Sequence, residues 1–137
     1  MLKIQDMELY YQKERDKDFF EVCEAIRKES YPEYISVDNI ALLAIKKKAK
    51  SFYLSTKVCS NIINKVRFGC FDKIKNNIKK ELYLELWLRY IQIKRQNPEF
   101  NSMDCARIIA EQEAPRFYIA EHHATNLYYK LLKSNQT

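Results

Sequence analysis

The side chains best suited to contact a ligand lie between positions 46 and 67. The segment Ser55-Thr-Lys-Val-Cys-Ser-Asn-Ile-Ile-Asn-Lys-Val-Arg67 carries two interleaved patterns. Val58, Cys59, Ile62, Ile63 and Val66 recur at three- and four-residue steps, which is the period of one helix face. The other face holds Thr56, Lys57, Ser60, Asn61, Asn64, Lys65 and Arg67. An asparagine amide can pair with both edge atoms of adenine, and a lysine can reach guanine or a phosphate. Lys46, Lys47, Lys48 and Lys50 precede this segment and would hold phosphates beside it, while Lys73, Lys75, Lys79 and Lys80 would extend the patch. Together these residues predict non-covalent recognition of nucleic acid, with DNA favoured over RNA.

The charge distribution points the same way. Residues 1–45 carry 6 basic and 10 acidic side chains, residues 46–80 carry 11 and 1, and residues 81–137 carry 7 and 7. The net charge of +6 therefore comes from the middle of the chain. Eleven cations against one carboxylate is more than solubility requires, and such a concentration attracts polyanions.

Nothing in the sequence predicts an enzyme. A single glycine leaves no phosphate-cradling loop, and neither a Ser-x-x-Lys motif nor a paired-carboxylate motif stands out. His122 and His123 could offer a general base, but adjacent residues point in different directions from a helix. Cys23, Cys59, Cys70 and Cys105 form no Cys-x-x-Cys pair, so no metal site is expected, and Cys59 and Cys105 fall where a reduced cysteine acts as a small hydrophobe. No cofactor is implied. No window holds the run of apolar residues that a membrane span needs, and the start of the chain lacks a signal-peptide apolar core, so the expected location is the cytosol.

The elements that must position the basic face follow from a second pattern. Ala49-Lys-Ser-Phe-Tyr-Leu-Ser-Thr56 resembles Ala114-Pro-Arg-Phe-Tyr-Ile-Ala-Glu121, sixty-five positions on. Over residues 49–66 and 114–131 five of eighteen positions are identical: Ala49/Ala114, Phe52/Phe117, Tyr53/Tyr118, Asn61/Asn126 and Lys65/Lys130. The likeness extends upstream, where Pro32-Glu-Tyr-Ile-Ser-Val-Asp38 matches Pro98-Glu-Phe-Asn-Ser-Met-Asp104. The chain reads as one unit written twice. A length of 137 residues suffices for one core shared by both units.

With few glycines and prolines to make hairpin turns, the expected fold is all-α: two related trihelical units, residues 1–69 and 70–137, packed as one domain. A helical lead-in with Leu2, Ile4, Met7, Leu9, Tyr10 and Tyr11 runs into a helix that buries Phe19, Val22, Cys23 and Ile26 and ends before Pro32. Ser36 or Asp38 caps a second helix, with Ile40, Ala41, Leu43, Ala44 and Ile45 inward and Lys46–Lys48 at its close. Ser55 caps the third, and Gly69 sits at its left-handed end. The second unit repeats the plan. A long helix from about Asp72 to Gln96 buries Leu84, Trp87, Leu88 and Ile91, a Ser102/Asp104-capped helix buries Ala106, Ile108 and Ile109, and a last one runs from Ala120 to Lys133 before a polar tail. Phe52/Phe117 and Tyr53/Tyr118 are expected to plug the gap between the second and third helices of each unit.

Asp38–Arg67, and in weakened form Asp104–Lys133, resembles the helix-turn-helix class of DNA-binding domains. That resemblance implies a third helix lying in the major groove. The connector of about six residues is longer than the usual three or four and has no turn glycine. The matching face in the second unit, Glu121, His122, Thr125, Asn126, Tyr129, Lys130 and Lys133, is far less basic, so the first unit is the expected binder and the second a packing partner, a homodimer surface or a weaker second contact. The chain is also similar to small bacterial proteins with an Ala-Pro-Arg-Phe-Tyr segment, a likeness that implies no function. The second function class consistent with the sequence is a protein-interaction module, engaging a partner through the Phe-Tyr connectors or the acidic first helix.

Overall fold

The computed structural model describes the backbone of residues 4–135 and the side chains of residues 8–135. Leu2, the side chains of Ile4 and Met7, and the last two residues of the polar tail lie outside that range. The described residues are all-α, with six helices: α1 (Ile4–Ser30), α2 (Val37–Ala44), α3 (Thr56–Arg67), α4 (Asn77–Gln96), α5 (Ser102–Ala110) and α6 (Glu121–Ser134). A 3-10 turn, Phe71–Lys73, separates α3 from α4, so the long helix starts five residues later than its periodicity suggests.

Caps explain most helix ends. Ser36, not Asp38, opens α2, its hydroxyl accepting from Asn39 N–H. Asn101, not Ser102, opens α5, where Asn101 and Asp104 accept each other's backbone amides in a capping box. α3 ends in a Schellman motif: Cys70 N–H donates to Lys65 O at 2.9 Å and Gly69 N–H to Val66 O at 3.0 Å. Gly69 takes φ +85°, which a side chain would strain. α2 stops at Ala44 with Ile45 as its C-cap, so Lys46–Lys48 follow its last turn instead of forming it. There the Lys46 and Lys47 amides donate to the carbonyls of Leu43 and Ala44, tightening the end of the helix.

The arrangement of the third helices differs from the expectation. α3 packs on α4 and α5, and α6 packs on α1 and α2. One group is thus α3, α4 and α5, consecutive in the chain but drawn from both halves, and the other is α1 and α2 with α6 from the far end. The reason lies in the connectors. Residues 45–55 and 111–120 are extended enough to cross, and at the crossing Ala49 and Ala114 exchange two backbone hydrogen bonds of 3.0 Å as an isolated antiparallel bridge. Phe117 N–H also donates to Ile45 O, fixing the second connector to the end of α2.

One core runs through both groups. Phe19 and Cys23 of α1, Ile40 and Ala44 of α2 and Tyr128 of α6 fill the first, with the Phe19 and Phe117 rings edge to face at 5.6 Å. Ile63 of α3, Leu86 of α4 and Ile109 of α5 fill the second. Each such buried aliphatic side chain contributes about 1.5–3 kcal/mol. Four residues expected inside are exposed: Leu43, Leu84, Leu88 and Ile108. On α4 the buried line is Tyr83, Leu86 and Tyr90, which turns Leu84 and Leu88 to the opposite side. Leu43 and Ile108 sit on the sides of their short helices that no neighbour covers.

Candidate nucleic-acid interface

α3 is a well-terminated helix, since Ser55 Oγ accepts from Val58 N–H at 3.1 Å and the Schellman motif closes its far end. Its inward face, Cys59, Ile62 and Ile63, is buried against α4 and α5, with Val58 and Val66 at the margins. Lys57, Asn61 and Lys65, four residues apart, form an exposed stripe flanked by exposed Arg67 and half-buried Thr56 and Asn64.

Ser60 leaves the predicted set. It is 4% exposed, and its hydroxyl lies 3.4 Å from that of Ser102 at the start of α5. Because α3 is gripped by two helices instead of one, its buried arc widens to include this small residue. Lys50 stays exposed: its ammonium is 3.2 Å from the equally open Glu21 carboxylate, a surface pair worth little, and its amide donates to Asp18. The hydrogen bond and charge of Glu21 raise the Lys50 pKa. Lys46, Lys47 and Lys48 are exposed but follow α2, which belongs to the other group, and Lys46 borders the same depression as Glu81 and Glu85.

The cations that share α3's group are those that follow it in the chain. Lys73, Lys75, Lys79 and Lys80 surround the 3-10 turn and the start of α4, where Asn76 caps the helix by accepting from Lys79 N–H. Among the described residues, Lys57, Lys65, Arg67 and these four lysines make no ion pair within 4.0 Å. Aromatic rings lie among them: the Arg67 guanidinium is 5.7 Å from the centroid of Phe68, and the Lys80 ammonium is 5.8 Å from that of Phe71. Phe68 is 75% exposed and has no counterpart in the predicted set. Its signal was its place outside the apolar stripe of α3.

Behind the basic face the connectors form a rigid junction. Arg89 of α4 stands 4.8 Å from the Phe52 centroid, Phe52 stacks on Tyr118 at 6.1 Å, and Arg116 lies 5.9 Å from Tyr118. Arg89 also donates to Glu85, to Gln112 and to the Glu113 carbonyl, tying α4 to the second connector. Tyr53 adopts φ +57°, which costs about 1–2 kcal/mol for a residue with a Cβ. Two bonds hold it there: its amide donates to Ser51 Oγ at 2.8 Å, and its hydroxyl donates to the buried Asp18 carboxylate. Burial, reinforced by that hydrogen bond, drives the Tyr53 pKa far above the usual phenol range.

Among the described residues no cluster of His, Cys, Asp and Glu is placed to hold a metal ion, and no helix is long and apolar enough to cross a membrane. Set against protein families, curated proteins and solved structures, the chain matches none of them.

Proposed function

We propose that the protein binds nucleic acid, duplex DNA foremost, through the exposed side of α3, in a role such as control of transcription or of mobile-element DNA. The observation that carries this reading is the stripe Lys57, Asn61 and Lys65 with Asn64 and Arg67 beside it, on a capped helix and without ion-pairing carboxylates. Unpaired cations release counterions when they meet phosphates, and the two amides offer base-edge hydrogen bonds. We also read the two halves as copies of one helix-turn-helix-like unit. In this reading the unit runs from Asp38 to Arg67, with α3 as its third helix supported by α4 and α5 of the other half instead of by α2. Lys73, Lys75, Lys79 and Lys80 then follow the backbone beyond the groove.

A second reading, a protein-interaction module, draws on the loop between α1 and α2, where Tyr31 is 83% and Tyr34 89% exposed. The connector aromatics do not favour it, because Phe52 is only 7% exposed.

Fluorescence anisotropy of labelled random duplex DNA, titrated with protein at several salt concentrations, tests the first reading. Log affinity is expected to fall linearly with log salt, with a slope near −0.9 for each phosphate contacted. Lys57→Glu combined with Lys65→Glu should lower affinity by about tenfold or more and flatten the slope by about two, with helical circular dichroism unchanged. Undiminished binding by this variant would remove α3 from the interface, and no binding of wild-type protein at low salt would sink the nucleic-acid reading itself.

A further inference from the structure

The exchange of third helices leaves a gap. α1 packs mainly on α2 and α6 while α3 packs on α4 and α5, so the first half of α1 and the start of α3 stand on opposite sides of an opening at the crossing. Between them is a cavity of about 620 Å³, within the range of small-molecule sites. Glu8, Tyr11, Gln12 and Arg15, spaced as one helix stripe, form one side. The two connectors form the back, and Lys57, Val58 and Asn61 form the opposite side.

The lining has a definite chemistry. Half-buried Tyr11 and Tyr118 supply aromatic surface, Phe52 is buried at the back between Arg89 and Tyr118, and Leu54, Val58 and Leu82 supply aliphatic surface. Three of the four charged side chains are cationic, Arg15, Lys57 and Arg116, against the single carboxylate of Glu8. Arg15 is held by Asp16 at 2.9 Å and Arg116 by Glu81 at 2.8 Å, whereas Lys57 has no ion-pair partner among the described residues. The walls are also fixed in advance. Phe52 and Tyr118 are stacked, Tyr53 is anchored on Asp18, and Arg116 Nε donates to the Phe117 carbonyl at 3.1 Å. A ligand entering such a site loses little affinity to ordering the protein.

We infer that this cavity is a binding site for a flat aromatic monoanion, an aromatic carboxylate in particular, whose ring lies among the connector aromatics and whose charge meets Lys57. The site shares Lys57 and Asn61 with the exposed side of α3, but it does not depend on what that side binds.

The test is a titration of the full chain with naphthalene-1-carboxylate, followed by amide chemical shifts, with neutral 1-naphthalenemethanol as the comparison. The carboxylate should shift residues 51–58 and 116–118 saturably and bind about tenfold tighter than the alcohol, a difference of about 1.4 kcal/mol. Lys57→Gln, a change at an exposed side chain, should erase that preference, so that carboxylate and alcohol bind alike. Shifts confined to other parts of the protein, no saturable shifts, equal affinity for the two probes, or an unaltered preference in Lys57→Gln would each overturn the assignment.

Discussion

Ala49 and Ala114 hydrogen-bond to each other in both directions, each amide donating to the other's carbonyl at 3.0 Å, and both side chains are buried. The two hydrogen bonds set the spacing of the connectors, and the buried methyl groups leave little room beside them. Enlarging either one, as Ala49→Val or Ala114→Val, should cost about 1–3 kcal/mol by overpacking. Because the residues touch, the double variant should depart from the sum of the single ones. Urea denaturation midpoints measure all three, and unchanged midpoints would show that the crossing is loose.

Tyr53 and Asp18 form the second device at this junction. In Tyr53→Phe the buried carboxylate keeps only the Lys50 amide, at 2.9 Å, as its donor. A loss of about 1–3 kcal/mol is expected from the unsatisfied acceptor. Circular dichroism melting reads it, and Asp18→Asn, which can still accept from both groups, should lose less.

The four cysteines divide by access. Cys23, Cys59 and Cys105 are buried, and desolvation pushes the Cys23 and Cys59 thiols up to about 12. Only Cys70, half-buried after Gly69, is open to a thiol reagent. Colorimetric titration should find one fast thiol per native molecule and four after denaturation. Two or more fast thiols would indicate a core more open than described.

Alkali should unfold the protein through its buried protonated groups. Desolvation first, then nearby carboxylates, raises Tyr118 and Tyr128 from 10.0 to about 12, and Cys23 and Cys59 rise from 9.0 to about 12. Each group holds its proton more tightly when folded, so its contribution is complete below the unfolded value and is lost as pH climbs toward the folded one. Stability should be level from neutral pH to about 9 and should then fall steadily to about 12, as followed by melting temperature. A flat profile to pH 12 would contradict the burial of these side chains.

Helix number, most caps and the connectors were legible in the sequence because each depends on neighbours along the chain. Ser55 and Gly69 have local signatures, and the inward stripe of α3 is a matter of period. Partner choice was not legible. Val58, Cys59, Ile62, Ile63 and Val66 say that α3 must bury a face, yet the same stripe suits the groove of either half. From that one ambiguity followed the misplacement of Ser60, which only a second gripping helix buries. The exposed Lys50–Glu21 pair spans twenty-nine residues and has no sequence pattern at all. The cavity was hidden for the same reason, since it exists only once the connectors have crossed.

The crossing also changes what a break in the chain would mean. The turn at Phe68 and Gly69 is exposed and is the natural place for a protease to cut. A cut there divides the polypeptide between α3 and α4, yet α3 remains lodged on α4 and α5 while α6 remains lodged on α1 and α2. The two fragments hold each other's missing helix, so the nicked protein is a complemented heterodimer that stays assembled until the core itself is melted.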